Sequence, residues 1–268
     1  MKSRESPMTP DEFHRLEREL GWKYEYWDGR AHISPSSASM RCARPVGAIE
    51  TPRAALTPEP VRPSDAQALT QAYIGAFGDG VEYCDWPADQ VREDATTSIA
   101  SFFAGRHGAP LAASRLVRDR GDPSAPLIGA LLVIAIDLDL AFMELLFVVP
   151  GRQRQGLASA MVAGALDALK AMGFRTLESR YLLANQTSRA WHHRMGFKDR
   201  PDFMSARALL VHARHRLERH QSQGPSEPET LTRLAAEVAH WEAEVERLDA
   251  EEQRPRRARH PAQPPTAP

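Results

Sequence analysis

The 268-residue sequence is poor in cysteine: two, Cys42 and Cys84, with no CxxC pair and no histidine at matching spacing. That argues against a disulfide framework and a structural zinc site. Charge of either sign is not in excess, with Lys+Arg 34 against Asp+Glu 35 and a formal net charge of −1. Bulk charge therefore gives no pull toward nucleic acid or an anionic membrane, and neither is expected as a partner. Lysine is scarce, and arginine carries nearly all the positive charge. Long hydrophobic runs are missing too. The longest, Pro126 to Val149, is broken by Asp137, Asp139 and Glu144 and reads as two buried strands rather than a membrane span. The opening MKSRESPMTPDEFHRLEREL lacks the apolar core of a signal peptide, so the cytoplasm is the expected compartment. Neither GxGxxG nor GxxxxGK[ST] occurs. His212, His215 and His220 lie among arginines without a second ligand set, and no metal is expected.

What is present reads as one central domain with extensions. Residues 8–20 suggest a short helix capped at Thr9, with Pro10, Asp11 and Glu12 in its first turn. Alternating aromatics from Trp22 to Trp27, then Asp28-Gly29, predict a hairpin with a type I′ turn, closing an extension over residues 1–34. Residues 35–56, rich in Pro, Ser, Ala and Arg without period, read as a linker. From 57 to 212 the expected order is β-α-α-β-β-β-α-β-α-β, with a last strand at 203–211. Antiparallel strands before a parallel βαβ unit imply an α/β or α+β fold with a mixed sheet. Residues 213–252 form a helical extension. Its seam of Leu231, Leu234, Val238, Trp241, Val245 and Leu248 is spaced by threes and fours like a coiled coil, and suits either a homodimer through 231–248 or docking in cis. Residues 253–268 are proline-rich and expected to be disordered.

The segment most telling about chemistry is Glu144-Leu-Leu-Phe-Val-Val-Pro-Gly-Arg-Gln-Arg-Gln-Gly156-Leu-Ala-Ser-Ala-Met161. An apolar strand runs into a basic turn, and Gly156 stands where a helix begins. Backbone N–H groups there lack intrahelical partners and point along the positive end of the dipole, while small residues let a phosphate come close. Gln153-Arg154-Gln155-Gly156-Leu157-Ala158 resembles the GNAT (GCN5-related N-acetyltransferase) pyrophosphate motif, Q/R-x-x-G-x-G/A. A second stretch, Asn185-Gln-Thr-Ser188-Arg-Ala-Trp191-His192-His-Arg-Met195-Gly196-Phe197, is similar to that superfamily's N-x-x-[AS]-x-x-x-Y-x-x-x-G-F segment.

The resemblance covers about residues 57–212. It implies a GNAT-like fold, a mixed and mostly antiparallel sheet with a central parallel βαβ pair splayed apart and helices flanking it. It also implies acetyl-CoA as cosubstrate. The pantetheine arm would pair with the strand ending Phe147-Val148-Val149. The pyrophosphate would rest on Arg154, Gln155, Gly156, Leu157, Ala158 and Ser159, and Asn185 and Ser188 would meet the arm or the pyrophosphate. The implied activity is transfer of acetyl to a primary amine by direct attack, the acceptor being a small amine or a protein amine. Acyl transfer to an amine needs a base, because a lysine-like ammonium has a pKa of about 10.4. It needs a donor for the oxyanion, and it gains from an acid at the departing thiolate. Glu144, an acid inside an apolar strand, is the candidate base. His192 stands where the family pattern has tyrosine and is the candidate acid, with Tyr181 as substitute. The competing reading is a catalytically degenerate GNAT-like protein that binds acyl-CoA or acts through its C-terminal helix. The 22–34 hairpin faintly resembles the opening of Uma2-like proteins, but no E-x-K half-site follows it.

Overall fold

The computed structural model describes residues 2–47, 49, 56–121, 125–222 and 227–253. The chain divides into two compact units, Met1–Pro201 and Asp202–Pro268. The first runs β1 (Arg4–Pro7), α1 (Pro10–Arg15), β2 (Trp22–Trp27), β3 (Arg30–Pro35), β4 (Ser39–Pro45), β5 (Glu59–Pro60), α2 (Ala66–Phe77) and α3 (Ala88–Phe103). It continues with β6 (Ala109–Pro110), β7 (Arg115–Arg118), β8 (Leu127–Ala135), β9 (Leu140–Val148), α4 (Leu157–Ala171), β10 (Thr176–Leu182), α5 (Gln186–Arg194) and β11 (Lys198–Arg200). The second unit holds α6 (Phe203–Ser222) and α7 (Pro228–Gln253).

The main sheet has the order β11-β4-β10-β9-β8-β7-β5, with β6 beside β8. Every neighbouring pair is antiparallel except β9 and β10, which is the mixed arrangement expected of the resemblance. Two faces are distinguished by alternation along β8. Ala130, Leu132 and Ile134 pack with Leu69 and Tyr73 of α2, with Val91, Ile99 and Phe102 of α3, and with Phe147 of β9. The alternate residues face the other way: a side chain at Gly129 would meet Met161 of α4 at 3.2 Å. So α2 and α3 cover one face, and α4 covers the other.

Two expectations are corrected. Within the expected linker, residues 39–45 form β4, which lies between β10 and β11 and pairs with both. Met40, Cys42 and Ala43 are its buried anchors; the prolines and serines around this strand mask its alternation in the sequence. Residues 48 and 50–55 of that stretch lie outside the described residues. The expected strand at 203–211 is instead the start of α6. Asp202 Oδ1 accepts from the Ser205 N–H at 2.8 Å, and Ser205 Oγ accepts from the Asp202 N–H at 2.9 Å, a reciprocal cap that starts a helix. The place beside β10 expected for that last strand is held by β4.

The N-terminal elements form a second sheet, β1-β3-β2. Its turn is type I′ as expected, with Asp28 and Gly29 at φ 51° and 69°. Thr9 caps α1 through a full capping box with Glu12, although the helix stops at Arg15. This sheet sits on the loop after β10: at Gly21, φ +81°, an added Cβ would lie 2.2 Å from the Ala184 nitrogen. In the second unit, Val238, Trp241 and Val245 of the expected seam pack in cis on Leu210, Ala213 and Leu217. Arg214–Glu242 at 2.7 Å and Arg216–Glu237 at 3.0 Å flank that contact. The proline-rich stretch 254–268 lies outside the described residues.

Candidate active site

The two parallel strands part company. β10 pairs with β9 only at Thr176↔Leu140, Leu177↔Ala141 and Glu178↔Phe142. Beyond that point β10 follows β4 to Leu182↔Ser39, while β9 follows β8 to Val148↔Gly129. Each strand keeps its outer partner, and the inner edges face an opening. Where the strands separate, the β8–β9 ladder carries a bulge: Val133 opposes Met143 and Leu132 opposes Leu145, so Glu144 is the extra residue.

The turn after β9 leads from the strand into α4. Arg154, at φ +60°, and Gly156, at φ +77°, are both left-handed, and Gly156 is the N-cap of α4. No side chain caps this helix. Its first intrahelical bond is Ala160 N–H to the Gly156 carbonyl, 2.9 Å, which leaves the Leu157, Ala158 and Ser159 amides without partners of that kind. Arg152 is taken up by an ion pair with Asp119, whereas Arg154 has no ion pair among the described residues. Gln153 Nε2 donates to the Val148 carbonyl at 3.0 Å, and the Val149 N–H donates to the Ile128 carbonyl at 2.9 Å. Phe147 is buried beside the Tyr73 and Phe77 rings, and its place opposite Ala130, two residues from the Val149–Ile128 bond, turns its backbone toward β8, so the expected contact of Phe147 with the cofactor is not available and the inner edge belongs to Leu146 and Val148.

On the other side of the opening, Asn185 caps α5. Its Oδ1 accepts from the Ser188 N–H at 2.9 Å, and its Nδ2 donates to Glu82 at 2.7 Å. Glu82 belongs to the loop between α2 and α3, so that loop reaches the end of β10. The same loop holds Tyr83, whose hydroxyl is buried between Tyr73 and Asp94. The loop also carries exposed Trp86 and half-buried Cys84.

The three candidate catalytic side chains fare differently. Glu144 lies on the α2/α3 face with Phe142 and Leu145, and its Oε1 is 2.6 Å from His107 Nδ1. Its Oε2 is buried and has no hydrogen-bond partner. An unpartnered buried carboxylate oxygen is costly, and a proton or an amine arriving from outside would relieve that. His192 is 3% exposed, and both its ring nitrogens are engaged. Nδ1 lies 2.8 Å from the Ser188 carbonyl, which only accepts, so Nδ1 carries the hydrogen. Nε2 then accepts from Ser179 Oγ at 2.9 Å. Burial lowers its pKa, outweighing the Ser188 carbonyl and Asp199, which raise it. Tyr181 donates to Asp199 at 2.7 Å, and burial raises its pKa. It shares the His192 side of the sheet, its ring 5.1 Å from the imidazole. Sequence reasoning placed both at the reacting centre; the fold commits their polar atoms to internal bonds.

Sequence reasoning missed His107 and Glu82. Each acts across a separation of 37 or 103 residues, and nothing in a local pattern announces such a pairing. Cys42, buried on β4 beside β10, has its thiol pushed up to about 12 by burial. Among the described residues no group of three His, Cys, Asp or Glu is placed to hold a metal, and no helix is long and apolar enough to cross a membrane.

Residues 68–197 match the model of the acetyltransferase (GNAT) family, a span that runs from within α2 to just past α5 and takes in both sides of the opening. The N-terminal sheet and β4 lie outside it. The chain is similar to a GNAT-family acetyltransferase structure from Novosphingobium aromaticivorans, at 16% identity and TM-score 0.40, over 60% of this chain and 59% of that one. A ribosomal-protein-S18-alanine N-acetyltransferase from Escherichia coli is similar at 20% identity and TM-score 0.40, over 55% of this chain and 79% of its own. A Brucella melitensis GNAT acetyltransferase, solved in complex with acetyl-CoA, is similar at 16% identity and TM-score 0.36, over 47% and 75%. No protein of curated function matches the sequence.

Proposed function

Residues 68–197 are an acetyltransferase domain of the GNAT family, and on that premise we propose that the protein transfers acetyl from acetyl-CoA to a primary amine with Glu144 as base. The observation that carries this reading is the opening between β9 and β10, which ends the ladder at Phe142 and Glu178. An extended amide-bearing arm needs an unpaired strand edge, and the inner edge of β9 supplies one. The uncapped amides of Leu157 to Ser159 and the left-handed Gly156 fit a diphosphate at the end of that arm. Asn185 and Ser188 border the opposite side.

Glu144 stands on the face away from α4, so the amine approaches from the side of α2 and α3. Its free Oε2 takes the proton that the ammonium must lose, directly or through one water. The amine nitrogen forms the new bond to the acyl carbon while the bond from that carbon to sulfur breaks, and the second nitrogen proton passes to the departing thiolate or to water. Backbone N–H groups on the open edge of β9 face the developing oxyanion. No acid is assigned to His192 or Tyr181. A free thiol has a pKa of about 8.5, so the thiolate leaves near neutral pH without a dedicated donor.

Calorimetric titration with acetyl-CoA is the test. Micromolar binding is expected for the wild type and its loss in Gly156→Glu, where a side chain is forced into a left-handed φ and fills the phosphate position. In a thiol-release assay with an amine panel, Glu144→Gln is expected to keep cofactor affinity and lose about 10²–10⁴-fold in turnover. Wild-type binding without turnover of any amine would favour the degenerate acyl-CoA-binding reading. Absence of binding would remove both.

A further inference from the structure

The sheet places three arginines in one row. Arg41 of β4 is the direct cross-strand partner of Arg180 on β10 and of Arg200 on β11. Directly opposed residues on antiparallel strands have Cβ atoms about 4.5–5.5 Å apart, and like charges at that distance are destabilising. One carboxylate sits among them: Glu178 accepts from Arg41 at 2.8 Å and from Arg200 at 3.2 Å. Arg180 has no ion pair or hydrogen bond among the described residues. All three arginines are exposed. Pairing with buried Glu178 accounts for Arg41 and Arg200, but nothing in the fold accounts for Arg180.

Its location is the informative part. Arg41 bonds Glu178, two residues from Arg180, so the row and Glu178 share a face. Glu178 is the last parallel partner of Phe142, and Phe142 packs with the α2/α3 cluster. The row is therefore on the same face as Glu144. Counting two residues past the last pair on each strand gives Glu144 on β9 and Arg180 on β10. They stand on opposite banks of the opening, one able to take an ammonium proton and the other an unpaired guanidinium. Arg41 and Arg200 extend the positive charge away from the opening.

We propose that the acceptor amine also carries an oxyanion, a carboxylate or a phosphate group, which Arg180 binds with Arg41 behind it while the amine meets Glu144. This rests on the acetyltransferase reading above. A guanidinium offers a planar pair of N–H donors that matches either acid, and the charge-assisted bond gives orientation as well as affinity. The same arginine repels a diamine, which makes the device selective as well as attractive.

The experiment compares amines of one chain length that differ only at the far end: γ-aminobutyrate, 3-aminopropylphosphonate, 4-amino-1-butanol and 1,4-diaminobutane. Thiol release is followed in wild type, Arg180→Ala, Arg180→Lys and Arg180→Glu. The wild type is expected to favour an acid-tailed amine by about 10-fold or more in kcat/KM over the alcohol, and by more over the diamine. Arg180→Ala raises KM for the acids about 10–100-fold and leaves the alcohol unchanged, Arg180→Lys recovers part, and Arg180→Glu turns the preference toward the diamine. The carboxylate and phosphonate arms separate the two oxyanions. Equal use of all four tails, a wild-type preference for alcohol or diamine, or a uniform loss in Arg180→Ala would overturn the proposal. Titration of N-acetyl-γ-aminobutyrate and N-acetyl-4-amino-1-butanol into the protein reads tail recognition without turnover. Wild-type binding of the acid alone, lost in Arg180→Ala, supports the proposal even if no acetyl group moves. Failure to bind the acid overturns it even if acetyl-CoA binds.

Discussion

Two carboxyl-bearing or imidazole side chains that look alike in a sequence have opposite fates once folded. Glu144 occupies a bulge, which turns it and Leu145 to the same face and leaves Oε2 unsatisfied. His192 is satisfied on both nitrogens and buried. A motif alignment assigns His192 to the tyrosine position but says nothing of Ser179, the hydroxyl on β10 that claims its Nε2. That partner is set by tertiary packing, so it was not legible. The imidazole carries a consequence for stability. Burial depresses its pKa below the ordinary 6.5, so beneath that value the unfolded chain takes up a proton that the folded one resists. Stability contributed by neutral His192 is present above about pH 6.5 and falls as pH drops from there toward the folded pKa. Melting at about pH 7.5 and about pH 5 is expected to show a smaller drop in His192→Phe than in wild type, although the variant starts lower because Ser179 loses its partner. Equal drops would place the acid sensitivity in another group.

At the scale of elements, determinants that are local in the chain are legible in the sequence and those set by distant partners are not. The strand-turn-helix around Gly156 was legible because its determinants are local: an apolar run, a left-handed glycine and an amphipathic helix. The hairpin at Asp28-Gly29 was legible for the same reason. β4 was not, since Ser39–Pro45 becomes a strand only when β10 and β11 accept it on both edges. α6 was misread because its first residues are as apolar as a strand; the Asp202-x-x-Ser205 cap was the available signal. At this scale Gly21 offers a test. Its φ is positive, and a methyl group there would meet Ala184 N and Leu183 backbone at under 2.5 Å. Gly21→Ala is expected to lift the N-terminal sheet from the β10–α5 loop at a cost of about 1–3 kcal/mol or more. Limited proteolysis should then cut within residues 1–36 faster than in wild type. Unchanged cleavage and melting would mean the loop yields without strain.

For the whole molecule, the family match and the folded unit have different outlines. The match begins at residue 68, yet a strand from residues 39–45 stands in the interior of the sheet, seven residues of it in register with β10. A chain starting at residue 57, which a motif reading would choose as the domain, leaves the outer edge of β10 unpaired along Thr176 to Leu182. It also separates β11 from the sheet. Exposed hydrophobic strand edges aggregate. Such a chain is expected to be insoluble or to lose acetyl-CoA binding, whereas one starting at residue 37 should retain some. Soluble, binding-competent protein from residue 57 onward would show that β4 is dispensable.

The same strand sets a clock. Arg41 and Glu178 are 137 residues apart in the chain, so during synthesis the N-terminal strand emerges long before its neighbours. At roughly 5–20 residues per second it waits on the order of ten seconds, both edges open, before β10 leaves the ribosome. Pairings that close such long loops are slow to form. For that interval both edges of the β4 segment stay unpaired, and its flanking prolines and serines discourage premature pairing with other nascent chains.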